Sequence, residues 1–181
     1  MARSSPCMQS VVLDRSYYSR SSVELALDMV GKLLCRRFDD GAVRRYRITE
    51  TETYYGEEDT ACHAHRCPTG RARVMFERGG LAYVHRCHMF NLLTIVTGPE
   101  GHPEGVLIRG VEGFDGPGRT GRELGLELSM YGSEMSPDGF LWMEDDGAVL
   151  KTEALPRVGI PYASEEDRVR LWRFRVTERW S

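Results

Sequence analysis

The segment Val43 to Tyr54 constrains this chain more than any other. It reads as one long strand, preceded by a second over Leu33–Phe38 and joined to it by Asp39-Asp40-Gly41, so the pair predicts a β-hairpin. Period-two alternation puts Tyr46, Ile48, Glu50, Glu52 and Tyr54 on one face, and Arg45, Arg47, Thr49, Thr51 and Thr53 on the other. Further strand signals follow in the apolar run from Gly79-Gly80 to Val96, in Gly105–Gly110 and in Leu171–Val176. Phe140–Glu144 and Ala148–Thr152 flank Asp145-Asp146-Gly147, which predicts a second hairpin. Ser21 or Ser22 can cap a helix running through Met29 towards Gly31. A second helix is expected from Arg119 to Met130, with Leu124 and Leu128 on one stripe. Strands arrive in neighbouring pairs without strand–helix alternation, which predicts an α+β fold with a mostly antiparallel sheet and surrounding helices.

The chain has 181 residues and no internal linker, which suits one domain with residues 1–12 as a flexible N-terminus. No stretch reaches the roughly 18 apolar residues of a membrane span, and the first residues lack the apolar centre of a secretion signal. A cytoplasmic protein is expected. Five cysteines, an odd number, argue against a disulfide framework. The net charge of −3 does not advertise a nucleic-acid partner, but its distribution is uneven. Between Ala64 and Phe90 stand Arg66, Arg71, Arg73, Arg78 and Arg86 against the single acid Glu77, whereas Ser133–Glu153 is acidic. Such a chain can set one face on an anion, or simply solvate both.

Glu52 emerges at a strand end beside Tyr54 and in line with Ile48. An apolar setting can make such a carboxylate a general acid or base, and a solvated ladder of polar pairs is the competing reading. Glu57, Glu58 and Asp59 look like the first turn of a helix leading to His63, and one turn can bring His63 and Glu52 to a common pocket. Cys62, His63, His65 and Cys67 form one Cys/His cluster, and His85, Cys87 and His88 a second. Thiolate and imidazole are what zinc prefers, yet the spacing fits no common finger framework.

Taken in order, RITETETYYGEEDTACHA (47–64), VMF (74–76), LAYV (81–84), FNLLTIVTGPEG (90–101), GVLIRGVEG (105–113), GPGR (116–119), PRVGIPYASE (156–165) and WRFRV (172–176) resemble the alkyladenine (3-methyladenine) DNA glycosylase family. The resemblance implies one α+β domain with a curved sheet, acting on double-stranded DNA that carries a damaged purine. It implies no cofactor and no membrane, and a monomer is expected. It implies that Glu52 is the base for a water attacking C1′ of a flipped nucleotide, and that Arg109 helps hold that water. Tyr54 and His63 match residues that contact the flipped base. Ala61 matches a main-chain contact to its edge, and Asn91 matches an asparagine that rejects guanine's amino group. Arg119, with the arginines of the basic segment, is expected on DNA. Extruding a base costs a few kcal/mol, least for a damaged one, and aromatic stacking recovers part of it. Neither Lys32 nor Lys151 lies in these motifs, so no Schiff base is expected and the abasic site is left uncut.

The family carries two tyrosines three residues apart after LAYV. Here the text is VHRCHMFN, and two placements of the gap are open. In one, His85 faces the flipped base and His88 stands near the gap in the duplex; in the other, both tyrosines are simply absent. A charged His85 would repel cationic lesions below about pH 6.5, the ordinary histidine value. Two further readings stand beside the glycosylase: a catalytically weak relative that binds damaged DNA, and a zinc-binding module.

Overall fold

A computed structural model describes residues 9–67 and 69–177. Ten strands run in chain order as β1 (Val11–Val12), β2 (Leu33–Arg37), β3 (Val43–Tyr55), β4 (Ala82–Cys87), β5 (Phe90–Val96), β6 (Glu104–Val111), β7 (Phe114–Asp115), β8 (Leu141–Asp145), β9 (Thr152–Leu155) and β10 (Arg173–Val176). The helices are α1 (Arg15–Tyr18), α2 (Ser22–Met29), α3 (His63–Arg66), α4 (Pro117–Glu123) and α5 (Glu165–Val169), with 3-10 turns at Gly70–Phe76 and Leu128–Met130. The main path of the sheet is β1-β8-β2-β3-β6-β5-β4, with β10 also on β3, β9 on β10 and β7 on β6. Every one of these strand pairs is antiparallel. The fold is α+β, as expected. No helix among the described residues is long and apolar enough to cross a membrane.

The long strand organises the molecule. Its threonine face is covered rather than solvated: Thr51 Oγ1 donates to Ala26 O at 2.6 Å and Thr53 Oγ1 to Ser22 O at 3.0 Å. These bonds seat α2, whose Leu25, Ala26 and Met29 are buried in the main core with Ile48, Ile95, Ile108 and Met143. Ser21 caps that helix by accepting from Val23 N. The pairing of β3 with β6 slips between Ile48 and Glu50 and again between Glu50 and Thr51. Glu50 lies opposite Gly110 and Thr51 opposite Ile108, so Arg109 sits at the bulge with no residue of β3 directly across from it.

Several elements differ from expectation. Val11–Val12 pair with Asp145 and Glu144, so that part of the expected flexible segment is a strand; residues 1–8 of it lie outside the described residues. The apolar run to Val96 is a tight hairpin, because Cys87 pairs with Phe90 and the chain reverses at His88 and Met89, with His88 at φ 52. The second helix stops at Glu123. Gly125, at φ 56, donates to Arg122 O while Leu126 donates to Gly121 O, the two bonds of a Schellman stop. The second hairpin does not form: β8 pairs with β1 and β2, and β9 with β10. Asp145 and Asp146 are drawn into ion pairs with Lys32 and Arg47 instead of closing a turn. Glu57 and Glu58 lie in a turn rather than in a first helical turn, and the helix begins only at His63.

Candidate active site

A pocket of about 300 Å³ opens between the β4–β5 hairpin, α3, the start of α4 and the loop Val158–Tyr162. That volume lies at the lower end for small-ligand sites. Its walls carry Tyr54, His63, Tyr83 and His85, and its apolar lining includes Met75, Leu92, Leu107 and Ile160. Thr94 and Arg109 add polar groups. Alternation explains this set. Tyr83 and His85 share one face of β4, opposite Thr94 and Leu92 of β5.

The aromatic wall is pre-assembled. The His85 ring stacks on Tyr83 with centroids 4.5 Å apart and meets the His63 ring edge-on at 5.0 Å. His63 Nδ1 lies 3.1 Å from the Tyr83 hydroxyl. Burial, with the neighbouring His63, pushes the His85 imidazole down to about 4. A charged His85 near neutral pH, as the sequence allows, is therefore corrected: the ring is neutral there. The crowded wall, together with the cations of Arg71 and Arg66, also lowers His63.

Glu52 lies just behind this pocket and is 0% exposed. Its Oε1 accepts the Val158 backbone N–H at 2.8 Å and lies 3.4 Å from Arg109 Nη1. Its Oε2 accepts from the Tyr54 hydroxyl at 3.0 Å. Burial raises the Glu52 carboxyl above the ordinary carboxylate range, against the opposing pull of Arg109, the Val158 amide and Tyr54. Tyr54 thus lines the pocket and holds the carboxylate at once. Arg157, wholly buried with Asp59, pins the surrounding chain: it makes two bonds to Asp59, at 2.6 and 2.8 Å, and one to Thr53 O.

Other expected residues sit elsewhere. The alternation that turns Leu92 and Thr94 into the pocket turns Asn91 away, where its Nδ2 donates to Leu126 O at 2.7 Å behind α4. The polar pocket side chain of β5 is Thr94. Ala61 is buried, and both its main-chain groups are engaged: its N–H donates to Asp59 and its carbonyl accepts from the Tyr162 hydroxyl. Of the arginines, Arg66 lies over the Tyr162 ring at 4.3 Å and Arg71 donates to Arg86 O. Arg73 lines a separate groove with Glu57, Glu77 and Glu100. Arg78 is paired with the exposed Glu134 at 3.0 Å. Arg119 is exposed on α4, and Arg122, which the sequence reading missed, packs its guanidinium over Phe90 at 5.3 Å. His88 lines the pocket mouth, and beside it Met89 is 84% exposed at the hairpin tip.

The zinc reading loses its basis, since no three His, Cys, Asp or Glu side chains among the described residues converge on a metal position. Cys62 Sγ is turned onto Pro103 O and Cys67 Sγ onto Thr69 O. Tyr83 was within reach of sequence reasoning, being two residues from His85 on the same strand. Val158 was not, because a backbone amide leaves no signature.

The site thus sets a buried carboxylate and an adjacent arginine behind a pocket walled by aromatic rings. The family model for methylpurine-DNA glycosylase matches residues 16–115. A relative in Methanocella arvoryzae is 39% identical over 90% of this chain and 91% of its own. One in Psychrobacter cryohalolentis is 34% identical over 86% and 88%, and one in Anaeromyxobacter dehalogenans 37% identical over 90% and 80%. Each is provisionally named a 3-methyladenine DNA glycosylase. The chain belongs to the methylpurine-DNA glycosylase family and is a DNA glycosylase, a base-excision-repair hydrolase of N-glycosyl bonds.

Proposed function

We propose that the pocket receives an alkylated or deaminated purine flipped out of duplex DNA, and that Glu52 activates the water that releases it. The observation that carries this reading is the Glu52 carboxylate, fully buried and held by three donors at the back of an aromatic pocket. Its raised proton affinity makes it a stronger base than a solvated glutamate. Water attacks C1′ as the bond to the purine nitrogen breaks. The electron pair leaves with the base, and the water's proton passes to Glu52. Arg109, beside Glu52 Oε1, orients the water. Tyr83, His85 and His63 offer flat faces to the purine, and the neutral His85 tolerates a cationic lesion. Neither lysine lines the pocket, which supports release without strand cleavage.

The DNA face is formed by Arg66, Arg71, Arg86, Arg119 and Arg122 around the pocket mouth. None of these has an acidic partner among the described residues, whereas Arg78 is paired with Glu134 and is left out of this reading. At the hairpin tip the exposed apolar Met89, rather than His88, fits the space a flipped nucleotide vacates. The test is release of methylated purine from duplex DNA by wild type and Glu52→Gln. Release by the wild type, and its loss with affinity retained in the variant, supports the reading. Equal release by both overturns it.

A further inference from the structure

Glu50 is a carboxylate beside this site to which the reaction gives no part. It is buried, and its Oε1 is shared between Arg109 Nε at 3.1 Å and Arg173 Nη1 at 3.0 Å. Arg173 stands opposite Glu52 across the β3–β10 pairing, and its Nε donates to Pro156 O at 2.9 Å. Two residues beyond that carbonyl, Val158 donates to Glu52. Arg173 therefore reaches both donors on Glu52 Oε1: Arg109 through Glu50, and Val158 through Pro156. The bulge makes this necessary. Arg109 sits where β3 and β6 slip, so the strand ladder does not fix its direction, and a bulge is a place where a side chain is re-aimed.

We propose that Glu50 and Arg173 are a positioning pair for the reaction, holding Arg109 and the Val158 amide on Glu52 and setting the pH at which Glu52 ionises. This rests on Glu52 being the base. Glu52 is faced by Glu50 and Tyr54 of β3, Arg109 of β6, Arg173 of β10 and Arg157 of the adjoining loop. Glu50 in turn faces Arg109, Arg173 and Arg175, with Glu112, Asp115 and Glu153 along the groove beyond it. The charge of Glu50 disfavours a second negative charge at Glu52 and draws off half of the Arg109 fork, whereas Arg173 compensates Glu50.

The experiment is single-turnover release of a methylated purine from duplex DNA across pH, with duplex affinity and melting temperature measured on each variant. Glu50→Gln is expected to move the acid limb to lower pH by roughly half a unit or more. It lowers the plateau rate roughly ten-fold or more, with affinity unchanged, because Arg109, still paired with Glu52, loses the second carboxylate anchor that holds its guanidinium in line with the water. Arg173→Met is expected to move the limb to higher pH, and Arg173→Lys to restore it towards wild type. A role confined to stability moves neither limb. Unchanged limbs, or limbs displaced in the same direction, overturn the proposal; should Glu50→Gln fold poorly, Arg173→Met decides alone. Glu52→Gln in the same assay separates the two readings. If it abolishes release while Glu50→Gln and Arg173→Met behave as wild type, only the positioning role falls; if it releases base normally, the assignment of Glu52 falls.

Discussion

Val158 donates its backbone N–H to Glu52 Oε1 at 2.8 Å, across 106 residues of chain. The buried carboxylate thus depends on a loop that carries no catalytic side chain of its own. Three features hold that loop: the Arg157–Asp59 pair, the bond from Arg173 to Pro156, and the bond from Tyr162 to Ala61. The arrangement joins the C-terminal third of the chain to β3, and each link can be tested.

Replacing Glu52 by Gln should reduce base release by about 10²–10⁴-fold, the usual weight of a general base. It should also raise stability at neutral pH. The carboxyl's folded value is raised above the ordinary one, so its favourable contribution is present at low pH and lost as pH rises through the raised value. Gln carries no such loss. Thermal melts of both proteins should diverge at pH 7 and converge towards pH 4; a variant less stable than wild type at pH 7 would contradict this.

The His85 imidazole should titrate near 4 in the folded protein, which proton NMR of the ring can follow. Because the folded value is lowered from 6.5, the associated stability is present above 6.5 and lost as pH falls towards 4. No change in the ratio of cationic to neutral lesion release should appear near pH 6.5. An imidazole titrating there would place His85 in water rather than against Tyr83.

Asp59→Ala leaves the wholly buried Arg157 guanidinium without its carboxylate. Breaking such a pair from one side costs about 3–5 kcal/mol. Denaturant unfolding should show a loss of that order, together with slower base release, because Val158 follows Arg157 directly. A loss under about 1 kcal/mol would mean that water has replaced the carboxylate.

Met89→Ala should weaken binding to damaged duplex and slow release while leaving the melting temperature unchanged, since the side chain is almost wholly exposed. Wedge residues act by filling the vacated stack, so fluorescence of a base analogue beside the lesion reports the step. The same fluorescence change in the variant would remove Met89 from this role.

Neutralising Arg71 or Arg86 should lower the dependence of log affinity on log salt by about one unit each. Arg78→Ala should leave that slope as it is, because Glu134 already holds its guanidinium. An equal drop for all three would put Arg78 on the DNA and its ion pair out of use there.

Local chemistry fixed much of this in advance. The Val43–Tyr55 strand, its hairpin with Leu33–Arg37 and the capped helix Ser22–Met29 follow from alternation, turn residues and a serine cap, all short-range causes. Order and motif were enough to indicate the family. Tertiary structure decided what depended on which elements touch. It turned Asn91 behind α4 and Thr94 into the pocket, since side-chain direction on β5 follows the register of a hairpin whose two-residue turn is not evident from an apolar run. It paired Arg78 with Glu134 and sent Asp145 and Asp146 to Lys32 and Arg47, choices among charges distant in sequence. It lowered His85 by burying the ring, which sequence cannot express because desolvation belongs to the packed surroundings. The sequence alone determined the long strand Val43–Tyr55, its hairpin with Leu33–Arg37, the cap of the helix Ser22–Met29 and the family. Only the fold determined which atoms meet at Glu52, because a backbone amide, a strand bulge and a buried charge act through geometry that no residue type encodes.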